Sequence, residues 1–483
     1  MCAPFMCNSR AEEGEIPHWS AVCRAFAGPP GTKRYGHAPR ELYNGGTAWR
    51  RTGVDMDKKL LIVQVAALGW DFLHRNGVRA CEGLEFKPAD SVLPALTCTV
   101  QGSFRTASPP STHGMVANGL YFRDVRRTMF WEQSSDLVAG ERIWTRFRRR
   151  GGRVGMMFWQ QSLGERVDLV LSPAPIHKHH GGMIQDCYCQ PSDLYQRLRA
   201  RLGKSFKLMH YWGPLASAAV GDWIAAATAA VLEDRESAPD LLLTYLPSLD
   251  YELQRVGPSH ARSRVALERT MQQLAAMISA ARSHDYDVLV YGDYAIADAA
   301  QAVFPNRALR AAGLLAVRQV KQMLYPDFHA SRAFALVDHE IAHVYVRDPD
   351  DVQAAAECLR ALDGVERVLD RREQADAGLD HRAGGELVVV AREGAWLAYP
   401  WWQRKREAPE YATHVDIHNK PGYDPCELFS GWPPIVTVSQ DPSRVRGSHG
   451  RVGPGRQVAW ASTLALDESG DVIALARGVR DWL

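Results

Sequence analysis

The sequence predicts an α/β fold in which a largely parallel sheet is sandwiched by helices. Short apolar runs alternate with amphipathic helical stretches: VGMMFW (154–159), RVDLVLS (166–172), DLLLTYL (240–246) and DVLVYG (287–292). Apolar residues recur at helical spacing in residues 217–232 and 262–282, which places a helix before each of the last two runs. Strands that alternate with helices in this way form a parallel sheet with both faces covered.

The composition is that of a globular protein with enough apolar side chains for a large core, because 46% of the 483 residues are hydrophobic and 23% are charged. The net charge of +2 predicts no nucleic-acid partner. No apolar run approaches the roughly 20 residues that span a bilayer, and the N-terminal residues do not resemble a secretion signal. We therefore expect no membrane partner, a cytoplasmic location, and reduced thiols for the nine irregularly spaced cysteines.

The periodicity divides the chain into four parts. Residues 1–55 carry no helical or strand period and predict an unstructured extension. The main α/β core is expected over residues 56–320, beginning with the apolar run MDKKLLIVQVAAL. Residues 321–410 form a mixed pattern that predicts a smaller α+β insertion or cap, and residues 411–483 predict a return to the core.

One segment, PALTCTVQGSFRTASPPSTHGMVANG (94–119), combines a Pro-containing loop with the start of a helix and a spaced polar series. The series is Thr97, Thr106, Pro109, His113, Gly114 and Asn118. It resembles the nucleophile region of the type I phosphodiesterase and nucleotide pyrophosphatase family, within the alkaline phosphatase superfamily. The resemblance gives Thr97 the nucleophile position, where a helix N-terminus favours an incoming phosphate anion.

The same resemblance implies a metal site that is retained only in part. Asp250 matches a metal-binding Asp at a strand end, and Asp293 matches the Asp of a Ser-Asp-His-Gly element. His449 matches the last metal-binding His-Gly element, in RGSHG (446–450). These three residues are therefore expected to be metal ligands.

Three positions of the family pattern carry other residues. Ala66 stands in place of an Asp, Gln254 in place of the His four residues after Asp250, and Tyr294 in place of the His after Asp293. The amide oxygen of Gln254 is a candidate substitute ligand, which would give an oxygen-rich site suited to Mg²⁺ or Mn²⁺ as well as Zn²⁺. The resemblance thus implies one or two divalent ions, with too few protein ligands to hold the second ion alone.

Further histidine-rich loops offer other candidates for the site. IHKHHGG follows the run RVDLVLS and supplies predicted substrate-phosphate contacts, which are His177, His179 and His180. Two other groups, more typical of structural residues, are Asp338, His339 and His343, and His414, Asp416, His418 and Asp424. The first of these two groups lies in the expected cap, and the sequence leaves its relation to the site open.

Two functions are compatible with these residues. The first is a metal-assisted phosphoester hydrolase of the phosphodiesterase or pyrophosphatase type, with Thr97 as nucleophile and a small-molecule phosphoester as substrate. The alternative is a catalytically inactive family member that binds a phosphorylated metabolite or a partner protein. The replaced ligands favour the alternative, whereas Thr97, Asp250 and His449 favour an enzyme.

Overall fold

The structure is a computed structural model that describes residues 58–179, 182–434, 437–467 and 470–483. The expected N-terminal extension and His180 lie outside the described residues. The strands of the described chain are β1 (Leu60–Val65), β2 (Ala80–Cys81), β3 (Leu84–Glu85), β4 (Lys87–Ala89), β5 (Gly119–Phe122), β6 (Arg127–Phe130), β7 (Val154–Met157), β8 (Leu169–Pro173), β9 (Ile176–His177), β10 (Met183–Ile184), β11 (Cys187–Gln190), β12 (Leu241–Leu246), β13 (Asp287–Gly292), β14 (Ala297–Asp298), β15 (Gln301–Val303), β16 (Val317–Val320), β17 (Met323–Pro326), β18 (Ala333–Asp338), β19 (Ile341–Val346), β20 (Val365–Leu369), β21 (Leu387–Ala391), β22 (Ala395–Leu397), β23 (Gly447–Ser448) and β24 (Val458–Ser462).

The α-helices of the described chain are α1 (Trp70–Arg75), α2 (Thr97–Thr106), α3 (Pro110–His113), α4 (Thr145–Arg149), α5 (Leu194–Leu202), α6 (Ala219–Leu232), α7 (Ser248–Val256), α8 (Ala261–Ser283), α9 (Pro305–Ala311), α10 (Val352–Arg360), α11 (Arg371–Asp376) and α12 (Val472–Trp482). None of them is long and apolar enough to cross a membrane.

An eight-stranded sheet forms the centre of the fold, in the order β11-β8-β7-β12-β1-β13-β24-β4. The five strands from β8 to β13 are parallel, and the three strands at the edges run antiparallel to their neighbours. Every residue of β1, LLIVQV, is buried, as expected for a strand that is covered on both faces. The predicted largely parallel sheet is thereby confirmed.

Helices cover this sheet, where α6 packs against α8 and α2 packs against α12. The helices α6 and α8 coincide closely with the two helical stretches that the apolar spacing predicts. Side chains cap the N-termini of α8 and α12. The His260 ring accepts a hydrogen bond from the backbone N–H of Arg262 at the start of α8, and the Asp471 carboxylate accepts one from the backbone N–H of Ala474 at the start of α12. The prediction of a helix-flanked sheet therefore holds.

A second, antiparallel sheet lies within the expected insertion, in the order β18-β19-β21-β20. Its strands are mostly buried and form a second apolar core together with residues of α9 and α10. The turn from β18 to β19 contacts the main core, because the N–H of Glu340 donates to the carbonyl of His449 at 2.9 Å. The domain limits at residues 320 and 410 stay a prediction.

Candidate active site

Thr97 is the first residue of α2, and its side chain is only 3% exposed. The preceding Leu96 is extended, at φ −130°, so that the chain enters the helix directly at Thr97. The Thr97 Oγ1 atom lies 3.3 Å from the hydroxyl oxygen of Tyr245, on β12. The next N–H, that of Cys98, donates to the side-chain oxygen of Asn118 at 3.0 Å. A hydroxyl at the N-terminus of a ten-residue helix is thus present, as predicted.

Asp250 lies in the first turn of α7, which follows β12 directly. Its Oδ1 atom accepts a hydrogen bond from the Tyr294 hydroxyl at 3.0 Å, and its Oδ2 atom accepts one from the Gln254 amide at 2.6 Å. The second contact joins residues four apart on one helix face. Burial raises the pKa of the Asp250 carboxyl to about 7, although both hydrogen bonds act in the opposite direction.

His449 meets Asp250 across 199 residues of sequence, with its Nε2 atom 4.0 Å from the Asp250 Oδ1 atom. Its Nδ1 atom donates to the carbonyl of Ala95 at 2.8 Å, two residues before Thr97, and this contact fixes the ring and leaves Nε2 without the proton. Burial lowers the pKa of His449 well below its usual value, and the nearby His339 acts in the same direction. The imidazole is therefore neutral.

Asp293 follows β13 and is fully buried. Its Oδ2 atom accepts from the Gln64 amide at 3.1 Å, and its Oδ1 atom accepts from the N–H groups of Ala67 at 3.2 Å and Tyr294 at 3.0 Å. Burial raises the pKa of the Asp293 carboxyl to about 8, although the hydrogen bonds from Gln64 and Ala67 lower it. This carboxyl group is thus held by three donors of the chain itself.

Tyr294 connects these residues. Its ring stacks on that of His449, with centroids 3.4 Å apart and an interplanar angle of 3°. Burial raises the pKa of Tyr294 well above its usual value, Asp250 acts in the same direction, and a hydrogen bond with the Thr97 side chain acts against it. The phenol therefore lies between the nucleophile candidate and the Asp250 carboxylate.

The structure also brings Asp338 and His339 to the site, a connection that the sequence left open. They lie at the turn from β18 to β19, where Asp338 Oδ1 is 2.7 Å from the Nδ1 atom of His339. The His339 ring is 3.8 Å from that of His449 and 3.6 Å from that of Tyr423. Asp338 is the last residue of β18 in the antiparallel second sheet, where the rule that ligands bind beyond the carboxyl ends of parallel strands does not apply. The sequence therefore carried no signal that places these two residues at the site.

Two contacts attach this turn to the residues around Thr97 and Asp250. Asp338 accepts from the backbone N–H of Asn118 at 2.8 Å and from its side-chain amide at 3.2 Å. The Tyr423 hydroxyl donates to the Gln254 amide oxygen at 2.9 Å, which is the oxygen that the sequence offered as a metal ligand. The cluster consequently consists of two buried hydrogen-bonded groups that meet through the stacked rings of His339, Tyr423 and His449.

The other histidine candidates lie elsewhere. His177 and His179 are exposed, at the β9–β10 hairpin, and the ring of His177 lies 6.4 Å from that of His418. His343 is buried and uses both ring nitrogens on the backbone of Val116 and Gly385. A phosphate-binding role for the hairpin histidines stays a prediction.

The expected metal ligands do not fit an ion in this arrangement. Both oxygens of Asp250 and both oxygens of Asp293 already accept hydrogen bonds from protein donors. Ala66 supplies no ligand atom. Over the described ranges, no group of three or more His, Cys, Asp or Glu side chains is placed to hold a metal ion.

The fold and the cluster at one edge of the central sheet define an alkaline phosphatase-like α/β protein. The model of the type I phosphodiesterase/nucleotide pyrophosphatase family matches residues 68–424, so the chain belongs to this family. The resemblance found in the sequence is confirmed. No curated protein matches the chain significantly.

Solved structures agree in fold. Phosphonoacetate hydrolase from Sinorhizobium meliloti 1021, in complex with phosphonoformate, has a TM-score of 0.57 at 17% identity, over 87% of this chain and 95% of that chain. Murine ectonucleotide pyrophosphatase/phosphodiesterase 5 has a TM-score of 0.51 at 13% identity, over 88% of this chain and 95% of that chain. At these identities the likeness establishes the shared fold.

Proposed function

We propose that the chain hydrolyses a small-molecule phosphoester of the phosphodiester or pyrophosphate type, with the hydroxyl of Thr97 as nucleophile. The observation that carries the proposal is the position of Thr97 at the N-terminus of α2, near Tyr294, whose hydroxyl donates to Asp250 and whose ring stacks on His449. Family membership supports it. The murine neighbour, which has also been solved as an inactive threonine-to-alanine variant in complex with AMP, supports it as well.

The reaction would proceed in two displacements. The Thr97 oxygen forms a bond to phosphorus while the bond to the leaving-group oxygen breaks, and the hydroxyl proton departs with the leaving group. Water then attacks the phosphothreonine, releases the phosphate product and returns a proton to Thr97. The N-terminus of α2 stabilises negative charge that develops on the phosphoryl oxygens.

The sequence predicts metal assistance for this reaction, but the resting arrangement does not offer an ion a set of free ligands. Entry of a substrate requires the side chains around Thr97 to move, because Thr97, Asp250 and Tyr294 are each 5% exposed or less.

Replacing Thr97 by alanine tests the nucleophile. Thr97→Ala is expected to abolish turnover of bis(p-nitrophenyl) phosphate while the melting temperature changes little, because the attacking oxygen is lost. Thr106→Ala is the matched control, since it removes a hydroxyl at the other end of the same helix, where the Thr106 Oγ1 atom donates to the carbonyl of Gly102. Turnover that is equal in wild type and Thr97→Ala would show that the assignment is wrong.

A second candidate function is non-hydrolytic binding of a phosphorylated metabolite. It is favoured by the burial of Thr97 and by the hydrogen bonds that occupy both oxygens of Asp250. This function predicts that wild type turns over no phosphoester, with or without Zn²⁺, Mg²⁺ or Mn²⁺, whereas a nucleotide such as AMP raises its melting temperature. Turnover that depends on Thr97 would exclude this candidate.

A further inference from the structure

Each oxygen of the Asp250 carboxylate accepts a hydrogen bond from a protein donor, and this bears on the metal that the family resemblance implies. We propose that the site around Thr97 is metal-free, because the hydroxyl of Tyr294 and the amide of Gln254 occupy the positions on Asp250 that an ion would need. The inference rests on the proposed function for the role of Thr97, and concerns the same side chains.

The first argument comes from Asp250 and His449. An ion bridging them would lie about 2 Å from each ligand atom, and the Asp250 Oδ1 and His449 Nε2 atoms are 4.0 Å apart. The Oδ1 atom, however, already accepts the Tyr294 hydroxyl at 3.0 Å, and the Tyr294 ring packs face to face on the imidazole. An ion could bind there only if this phenol moved away.

The second argument comes from Gln254, whose side-chain amide makes one hydrogen bond through its NH₂ group and one through its oxygen. Its NH₂ group donates to Asp250 at 2.6 Å, and its oxygen accepts from Tyr423 at 2.9 Å. Rotating the amide to direct its oxygen at an ion would break both hydrogen bonds and place two acceptor oxygens against each other. The Asp250 carboxylate, which can only accept, thus holds the amide with its NH₂ group rather than its oxygen directed at the site.

The third argument comes from the neighbouring position at Asp293. Its carboxylate accepts from Gln64, and that amide in turn accepts from the Tyr291 hydroxyl at 2.8 Å. Two backbone N–H groups, of Ala67 and Tyr294, complete its partners. Because Ala66 supplies no ligand, an ion here would compete with these three hydrogen bonds and find only the Asp293 carboxylate.

The experiment measures metal binding without relying on activity. The full chain is dialysed against EDTA, exposed to Zn²⁺, Mg²⁺ or Mn²⁺, and analysed for metal content and melting temperature. Wild type is expected to hold no stoichiometric ion and to show no increase in melting temperature, whereas a filled site would raise it by roughly 2 °C or more. Stoichiometric binding with such an increase in wild type would overturn the proposal.

A variant that carries the three ligand residues of the family pattern serves as the positive control for metal binding. The triple variant Ala66→Asp, Gln254→His and Tyr294→His is expected to bind an ion and to melt at a higher temperature with it. If the triple variant does not fold, the single Tyr294→His variant takes its place. Tyr245→His is the matched control, because it adds an imidazole beside Thr97 but leaves both contacts of Asp250 intact.

The two variants give opposite outcomes if the proposal holds. A folded restored variant that binds no ion, or a Tyr245→His control that binds as well as the restored variant, would overturn it. Turnover is assayed on the same EDTA-treated wild type, so that the two proposals can fail separately. Absence of turnover without metal binding would remove the hydrolase function alone, whereas metal-dependent turnover would remove the metal-free site alone.

Discussion

His113 is expected to make the fold sensitive to acid, and replacing it by glutamine should remove that part of the sensitivity. The ring is buried at the end of α3, where its Nδ1 atom accepts from the Met115 N–H at 3.1 Å. Its Nε2 atom therefore carries the proton and lies 2.9 Å from the Ser103 hydroxyl. A second proton, on Nδ1, would point at an N–H donor. Burial, together with the charge of Arg105, accordingly lowers the pKa of His113 to about 3.

The magnitude follows from the difference between the folded and unfolded pKa values. In the unfolded chain His113 has its ordinary pKa of about 6.5, so the unfolded state takes up a proton as the pH falls below that value while the folded state does not. Each pH unit between about 6.5 and 3 then lowers the free energy of unfolding by ~1.4 kcal/mol. From pH 7 to pH 5 the loss is about 2 kcal/mol.

The assay is urea denaturation of wild type and His113→Gln at pH 7, 6 and 5. The carboxyl groups with raised pKa values, such as Asp250 and Asp293, act with the opposite sign, but they are common to both proteins and cancel in the difference. Between pH 7 and pH 5, wild type should lose about 2 kcal/mol relative to the variant. His329→Gln, at an exposed ring, is the matched control. If the free energy of unfolding falls by the same amount from pH 7 to pH 5 in wild type and in His113→Gln, the reasoning is wrong.

Two further substitutions test the packing near the site. Gly102→Ala should lower the free energy of unfolding, measured by urea denaturation, by about 1–3 kcal/mol, because a Cβ atom there would lie 2.7 Å from the His113 ring. An unchanged free energy of unfolding would show that the ring moves freely. Lys420→Met should lower the free energy of unfolding by about 3–5 kcal/mol, because the buried ammonium pairs with Asp424 at 2.8 Å and Glu427 at 2.7 Å. A decrease below about 1 kcal/mol, which is the range of exposed ion pairs, would contradict this.

Much of the main core could be predicted from the sequence because its strands are short, apolar and buried on both faces. The runs at 240–246 and 287–292 contain β12 and β13, and the family resemblance placed Asp250 and Asp293 after these strands. The meeting of Asp250 with His449 was expected from the family resemblance rather than from periodicity. It is present at 4.0 Å.

The sequence could not supply the contacts that complete the site. Asp338 and His339 reach it because a second sheet docks on the main core, and such docking depends on contacts far apart in sequence that leave no local pattern. The sequence showed that Tyr294 replaces a histidine, but not that its hydroxyl would donate to Asp250. Side-chain partners of this kind follow from the packed structure alone.

The retained ligand residues are therefore weaker evidence for a metal than their identities suggest. A buried carboxylate such as Asp250 is costly unless donors or a cation balance it. Two of the replaced positions, Gln254 and Tyr294, supply a donor to that carboxylate, so Asp250 has a structural role without any ion. Thr97 differs from it, because its hydroxyl lies 3.3 Å from the Tyr245 hydroxyl, a longer contact than those of Asp250. Of Thr97, Asp250 and Asp293, Thr97 is thus the one whose chemistry the surrounding hydrogen bonds do not already explain.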